Sequence, residues 1–293
     1  MWFTKSGRII TAYYKNIDTN IKLYDIAMEP IKGKSPYDPI RTFVINLIRT
    51  NSALGARINQ DALDGFRGSA AMIDYVVRFK EHLNGKLDRK IMFGSPDAVR
   101  SRVNIVEDEL FLLIKEQLAE KGTFHLLEVG PGYLRTQINL INRLKEAQVD
   151  LDGLKIVGVD CHPDVVRAAT EILRYERLEN IMSIILGDAH EWLTSNTTQY
   201  DTVLAEGVFE YMNRKKSMEF AGELANHIRK EGYLIASATH KVPKKKVIEY
   251  LDILVLQRSE KEFVEIFTNS GFNNPRLIPT EPPNVSIGIG QKI

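Results

Sequence analysis

Cysteine is nearly absent from this chain, since Cys161 is the only one among 293 residues. A single thiol cannot form an internal disulfide, and we expect a cytoplasmic protein because a reducing compartment suits such a chain. Long apolar runs are absent too: no stretch approaches the ~20 residues that a membrane-spanning helix needs. Residues 1–20 carry charged and polar side chains throughout, so they predict no signal peptide.

An excess of either charge is also missing. The chain has 39 Lys and Arg residues against 38 Asp and Glu residues. Binding to nucleic acid depends on neutralising many phosphates, so this balance argues against a nucleic-acid partner. The length and the ordinary composition predict a globular protein with one large domain, or one domain with a sizeable cap. No feature of the sequence predicts an oligomeric state.

The first third of the chain has helical patterns. Asp38-Pro39 is typical of a helix start, and the apolar residues after it recur at helical spacing. A second helix is predicted over 66–83. We therefore predict that residues 1–95 form a helical cap that covers the substrate, and that residues 96–293 form the main domain. The main domain would begin with a long helix that ends near Gly122.

Beyond residue 122, short apolar segments alternate with helical ones. This alternation is typical of a mostly parallel sheet with helices on both faces. A helical stretch over 244–270 precedes two final strands, and Pro282-Pro283-Asn284 between them indicates a loop joining antiparallel edge strands. The strands are predicted at 124–129, 155–159, 181–186, 201–205, 233–237, 275–279 and 285–290, and the helices between them at 133–147, 163–177, 189–194 and 214–230.

The ends of the first four strands carry the residues that could bind a ligand. In sheets of this kind the ligand lies outside the carboxyl ends of the strands. The first strand ends at Glu128 and the Gly130-Pro131-Gly132 turn, whose glycines let the backbone approach a ligand. The helix that follows would direct its positive end at the same place. The next three strands end at Asp160, Asp188 and Glu206.

The strand-end residues discriminate between candidate nucleotides. Asp160 alone does not, because it suits the two hydroxyls of a ribose and NAD enzymes bind a ribose in the same way. Three other features do. The glycine loop lacks the third glycine of the dinucleotide fingerprint, and Leu134 stands there instead. Glu128 would repel a pyrophosphate but would suit a cationic amino-acid group. Gly187-Asp188-Ala189 supplies an acceptor for an exocyclic adenine amine.

Together, these motifs resemble those of the class I S-adenosylmethionine-dependent methyltransferases. The resemblance covers about residues 122–290 and includes Arg229–Leu234, which is similar to the segment before strand five in that family. It implies an α/β, Rossmann-like sheet of seven mostly parallel strands with an antiparallel last strand. It also implies S-adenosylmethionine (SAM) as the cofactor, and no metal.

The resemblance implies three groups of cofactor-binding residues. The methionine part of SAM would be held by Glu128, Gly130 and Gly132. The ribose would be bound by Asp160, and the adenine would lie against Cys161, His162, Asp188 and Ala189. The sulfonium side would be closed by Glu206 and Gly207.

The methyl acceptor is predicted to be a small or lipid-like molecule. Residues 98–102, 206–212 and 248–258 are similar to segments of a bacterial group that includes fatty-acid methyl-ester-forming methyltransferases. That similarity implies O-methylation, with a carboxylate as one acceptor, which is ionised at neutral pH and needs no base. A hydroxyl acceptor would need one. The candidates for such a base are Glu210, Tyr211 and His240.

Two other functions stay open from the sequence. One is an NAD(P)-dependent oxidoreductase, which fits poorly with Glu128. The other is a non-catalytic SAM-binding protein that keeps the fold without turnover. We also hypothesise that Arg100 or Arg102 reaches an anionic acceptor, with a surface salt bridge as the alternative.

Overall fold

The computed structural model describes residues 95–241 and 255–293. The predicted cap therefore lies outside the described residues, apart from Ser95, and so does the 244–254 part of the predicted helical stretch. The division of the chain into a cap and a main domain stays a prediction.

Helices and strands alternate along the described residues. In chain order they are α1 (Ser95–Lys121), β1 (Phe124–Val129), α2 (Arg135–Glu146), β2 (Leu154–Asp160), α3 (Pro163–Glu176), β3 (Met182–Leu186), α4 (Ala189–Ser195), β4 (Tyr200–Ala205), a 3-10 turn (Phe209–Tyr211), α5 (Arg214–Asn226), β5 (Ile228–Thr239), α6 (Glu260–Thr268), β6 (Phe272–Pro279) and β7 (Val285–Lys292).

The seven strands form one sheet in the order β3-β2-β1-β4-β5-β7-β6. Strands β1 to β5 pair in parallel, and β7 runs antiparallel to both of its neighbours. The predicted fold class, with an antiparallel last strand, is confirmed. One detail is wrong, because β7 is not an edge strand: it lies between β5 and β6, and only β6 ends the sheet on this side.

Helices cover both faces of the sheet, as expected for a largely parallel one. Leu126, Leu204 and Ile235 point to the face covered by α1, α2 and α3. Their immediate neighbours point to the other face, which α4, α5 and α6 cover. This alternation follows from the period of two residues in a strand. The alternation also determines which strand-end residues can contact each other, since only side chains that point to the same face of the sheet can do so.

Two predicted boundaries are wrong. Helix α5 ends at Asn226 rather than near residue 230, and Arg229–Leu234 lies inside β5, where Glu231 has a φ of 65°. Residues 255–259 are not helical, so the predicted 244–270 stretch is broken there. Ser259 begins α6 with a capping box: its hydroxyl accepts from the Glu262 N–H, and the Glu262 carboxylate accepts from the Ser259 N–H.

Within 95–241 and 255–293, no helix combines the length and apolar character needed to cross a membrane.

Candidate active site

The loop after β1 is built from residues with left-handed backbone. Gly130 and Gly132 have φ values of 68° and 58°, and Leu134, just before α2, has a φ of 57°. Leucine in this conformation costs roughly 1–2 kcal/mol, which full burial of the side chain offsets. Leu134 therefore keeps the backbone shape of the glycine that it replaces.

A glycine in β2 lets this loop close against the sheet. A Cβ atom on Gly158 would lie 2.8 Å from Cγ of Pro131. The Gly130 N–H donates to the Val159 carbonyl oxygen at 2.9 Å. The loop is thus held over the carboxyl end of β2, whose last residue is Asp160.

Asp160 connects three strand-end loops. Its carboxylate accepts the His162 N–H at 2.9 Å and also accepts from the Gly132 N–H. Its carbonyl oxygen accepts the Gly187 N–H at 3.0 Å, which joins the β3 loop to this point. Burial raises the pKa of Asp160. The carboxylate that the sequence assigns to a ribose therefore lies where the glycine loop, β2 and β3 converge.

Glu128 is buried beneath the glycine loop, with 3% of its surface exposed. It accepts a hydrogen bond from the Gln137 side chain, which reaches it from α2. Burial, and then the charges of Glu206 and Asp160, raise the pKa of Glu128 well above its usual range. Gln137 is a residue that sequence reasoning missed. The available signal was a polar side chain on the buried face of a helix that begins at a ligand loop.

Glu206, at the end of β4, forms a buried ion pair with Arg102 of α1. The Arg102 Nε and Glu206 Oε1 atoms lie 2.7 Å apart, and the two side chains are only 8% and 10% exposed. Burial alone would lower the Arg102 pKa, but Glu206 and Glu210 raise it overall. The hypothesis of a surface salt bridge is therefore wrong for Arg102. Arg100 instead pairs with Asp97 at 2.6 Å, one turn away on the same helix.

A second network extends from Gly207. Gly207 has a φ of 72°, and its N–H donates to the Ser237 hydroxyl at 2.8 Å. That hydroxyl donates to Oε1 of Glu210 at 2.9 Å. Glu210 is 4% exposed, burial raises its pKa, and no hydrogen-bond partner for its other oxygen is found among the described residues.

The turn that carries Glu210 is clamped by Arg258. The Arg258 guanidinium donates to the Phe209 carbonyl at 2.6 Å, to the Ser217 hydroxyl at 2.7 Å and to the Met212 carbonyl. Arg258 lies in the 248–258 segment that resembles a bacterial methyltransferase group, but the sequence indicated no role for it.

The other two candidate bases are placed differently from Glu210. Tyr211 leaves 41% of its surface exposed, yet burial of its hydroxyl and the charge of Glu210 raise its pKa to about 12. His240 Nδ1 lies 2.7 Å from the Arg258 carbonyl oxygen. His240 directly follows β5, and its backbone N–H donates to the Asn284 carbonyl oxygen at 2.8 Å. The structure thus places Glu210 and Tyr211 in one turn, and His240 after β5 against Arg258, the residue that clamps this turn.

The predicted adenine side is more open. Asp188 caps α4, and Oδ1 accepts both the His190 and Glu191 N–H groups at 2.9 and 3.2 Å, so Oδ2 takes no part in the cap. Cys161 is exposed, and burial raises its thiol pKa, which suits a wall residue rather than a nucleophile. The other residues predicted on this side are His162, at the start of α3, and Ala189, at the start of α4. Leu186, at the end of β3, is 53% exposed beside them in the chain.

The site is acidic overall. Glu107 of α1 adds a further carboxylate, which accepts from the Asn139 side chain at 2.8 Å. Burial raises its pKa to about 7, and the Glu206 charge contributes to that shift. In the part of the chain that the structure describes, no group of three or more His, Cys, Asp or Glu residues could hold a metal ion.

No protein-family model and no curated protein matches this sequence. Solved structures do match. Magnesium protoporphyrin IX methyltransferase from Synechocystis PCC 6803, with bound SAH, is 17% identical with a TM-score of 0.51, over 76% of this chain and 98% of that one. A possible exported protein from Bordetella parapertussis is 13% identical with a TM-score of 0.62, over 91% and 99%. Mitomycin 7-O-methyltransferase MmcR is 16% identical with a TM-score of 0.51, over 88% and 69%.

These identities are low, so the likeness concerns the fold. The strand order and the antiparallel β7 separate this sheet from the dinucleotide-binding order, in which the sixth strand follows the fifth. Two of the similar structures are methyltransferases by name. This chain has the fold of the class I SAM-dependent methyltransferases, as its motifs predicted.

Proposed function

We propose that this protein is an enzyme that transfers a methyl group from SAM to a small-molecule acceptor. The observation that carries the proposal is the set of three strand-end carboxylates, Glu128, Asp160 and Glu206, on one side of the sheet around a left-handed glycine loop. SAM carries an ammonium, a sulfonium and a ribose diol, and each of them suits a carboxylate. An NAD(P) pyrophosphate would instead meet a buried acid.

Each carboxylate has a separate part in the proposed complex. Glu128, oriented by Gln137, would accept hydrogen bonds from the ammonium group. Asp160, already fixed by two backbone N–H groups, would accept those of the ribose. The oxygen of Asp188 that is not used in the helix cap would accept the adenine amine. Glu206 and Gly207 would lie beside the sulfonium.

The chemistry requires little beyond positioning. Bound SAM supplies an electrophilic methyl group, and an acceptor held in line with the carbon–sulfur bond displaces the thioether. Such orientation can supply effective molarities of about 10⁵ M or more. The turn clamped by Arg258 fixes Glu210 and Tyr211 beside Glu206, and these residues would form the wall nearest the acceptor.

The finer part of the proposal is the acceptor. We propose O-methylation, and the names of two proteins of this fold, a mitomycin 7-O-methyltransferase and a protoporphyrin methyltransferase, support a small-molecule acceptor. A carboxylate, including that of a lipid-like acid, needs no base. That acceptor agrees with the high pKa of the Tyr211 hydroxyl, which keeps this group protonated at neutral pH.

Calorimetric titration with S-adenosylhomocysteine (SAH) tests the cofactor. We expect the full chain to bind SAH, and Asp160→Ala to weaken binding at least about tenfold, because two ribose hydrogen bonds are lost. Asp164→Ala is the matched control, since Asp164 is an exposed acid of α3, close in sequence to Asp160, that pairs with Arg167. Folded, ligand-free protein that binds NAD(P) but not SAH would overturn the proposal.

Turnover is tested separately with labelled SAM and matched acceptors. A long-chain carboxylic acid, the alcohol of equal length and a phenol would be compared for transfer of label. Transfer to the acid alone would support the carboxylate, and transfer to the alcohol or phenol would assign a hydroxyl acceptor. SAH binding without any transfer would favour a non-catalytic SAM-binding protein.

A further inference from the structure

Glu206 is the electrostatic centre of the site. Its charge contributes to the environment of Glu107, Glu128 and Glu210, each of which lies on a different element. Among the described residues, the cation bonded to it is Arg102, which reaches it from α1. A single charge on α1 therefore determines whether Glu206 acts on a ligand as a bare anion or as half of a neutral pair.

We propose that Arg102 is a specificity-determining residue that sets how strongly the site prefers a cationic ligand to its uncharged counterpart, namely SAM to SAH. The inference rests on the proposed function, because it places Glu206 beside the sulfonium. It assigns to α1 a part in cofactor recognition that the sequence motifs do not contain.

The geometry makes this ion pair effective on a ligand. Both side chains are nearly buried, so solvent screens their charges little. The Arg102 guanidinium also lies against Gly207, where an added Cβ atom would be 3.5 Å from Nη1. The pair thus lines the turn that would close over the sulfonium, rather than lying on the outer surface of α1.

The pairing has a consequence for the reaction. Methyl transfer moves the positive charge off sulfur, because the electron pair of the breaking carbon–sulfur bond stays on that atom. An unpaired anion beside the sulfonium would stabilise bound SAM more than the transition state. Only interactions that are stronger in the transition state accelerate the chemical step. By neutralising Glu206, Arg102 limits this loss.

The test is a double-mutant cycle on the ratio of SAM affinity to SAH affinity, measured by calorimetry on the full chain. Arg102→Met keeps the packing length but removes the charge, and we expect the ratio to rise about tenfold. Glu206→Gln leaves Arg102 unpaired, so the ratio should fall by a similar factor. The double variant is uncharged at both positions and should return to the wild-type ratio.

Three controls make the outcomes distinct. Arg102→Lys keeps the charge and should keep the ratio. Arg143→Met removes a partly exposed arginine of α2 that pairs with Asp108 of α1, and it should leave the ratio unchanged. If Arg102→Met fails to fold, Glu206→Gln alone must still lower the ratio.

An unchanged ratio in Glu206→Gln would overturn the inference while leaving the proposed function intact. Equal weakening of SAM and SAH in Arg102→Met would also contradict it, because that result shows only a loss of structure. Absence of binding to both ligands in the wild-type protein would instead reject the proposed function.

Discussion

Three carboxylates meet at this site because the strand register places them on one face of the sheet. Glu128 and Asp160 come two and four residues after Leu126 and Ile156, and Glu206 comes two residues after Leu204; these three apolar residues pack in the core under α1 and α2. Parallel pairing brings the ends of the three strands to the same edge of the sheet. A shift of one residue in any of these strands would send its acid to the opposite face. The number of acids at the site therefore depends on the register of each strand, to within a single residue.

At this scale we predict that SAM binding releases a proton from Glu128. The pKa of Glu128 is raised by burial and by neighbouring acids, whereas a bound cation favours its ionised form. SAM affinity should therefore increase as the pH rises, until Glu128 is ionised in the free protein as well. Calorimetry in buffers of different ionisation enthalpy measures the released proton directly.

Glu128→Gln provides the comparison for that prediction. The variant is of equal size and cannot titrate, so its SAM affinity should be lower and nearly independent of pH. Glu116→Gln, an exposed change on α1, should behave like the wild-type protein. The same pH dependence in Glu128→Gln and in the wild type would assign the proton to another group.

At the scale of elements, α1 is more than a helix that precedes the fold. It supplies Arg102 and Glu107 to the site, and Ser101 on the same helix accepts the Glu281 N–H at 2.9 Å. The carboxylate of Glu109 pairs with Arg276 of β6 at 2.5 Å. These bonds fix the register of α1 against the sheet, and hence the position of its charges.

We predict that Glu107 makes the stability of the protein fall as the pH rises. Its folded pKa is about 7 because of burial, whereas an unfolded chain has a Glu pKa of about 4.3. Between these values the folded state binds the proton and the unfolded state does not, so the free energy of unfolding declines with pH. Urea denaturation of Glu107→Gln at about pH 5 and pH 8 checks this.

The glutamine keeps the acceptor for Asn139 and cannot ionise, so the variant should exceed the wild type in stability at the higher pH and resemble it at the lower one. Glu116→Gln is again the control. Equal differences at both values would mean that Glu107 does not titrate between them.

The turn between β4 and α5 depends on hydrogen bonds from Arg258. Arg258→Met removes a charged donor from two carbonyl groups and one hydroxyl, and leaves the buried Phe209 carbonyl and Ser217 hydroxyl without it. We expect a loss of about 3 kcal/mol in the free energy of unfolding, together with weaker SAH binding. Arg167→Met, which disrupts an exposed pair, should lose less than about 0.5 kcal/mol. A stable Arg258→Met with normal SAH binding would contradict the clamp.

At the scale of the whole described molecule, one sheet separates two apolar cores and brings the loops after β1, β2 and β4 together at one edge. The buried acids lie at that edge, where each is unfavourable without a partner. A ligand that neutralises them should therefore stabilise the entire fold.

We predict that SAH raises the midpoint of thermal unfolding in a concentration-dependent manner. At a ligand concentration about 100 times the dissociation constant, the gain is about 2.7 kcal/mol. SAM should raise the midpoint further than SAH does, because its additional positive charge lies near the acids of the site. Asp160→Ala should show a smaller shift of the midpoint with either ligand. A midpoint that is insensitive to SAH in the wild type would argue against the cofactor, whereas a response to NAD(P) would support the oxidoreductase.

The sequence by itself was sufficient for the order of elements, the fold class and the acids at the strand ends, because these depend on periodicity and on glycine positions along the chain. It was insufficient where a residue acts on another far away in sequence. Gln137 and Arg258 carry no local signal of their partners, and the boundary of α5 was decided by the pairing of β5 with β4.

Arg102 illustrates the difference most clearly. Its place on a helix was readable from spacing, but its bond to Glu206, 104 positions later, exists only once α1 packs over the sheet. Because both side chains are buried, water does not solvate their charges, and each charge is stabilised by the other. Local pattern thus determined which elements form and which end of the sheet carries the acidic residues, while tertiary packing decided how their charges are paired.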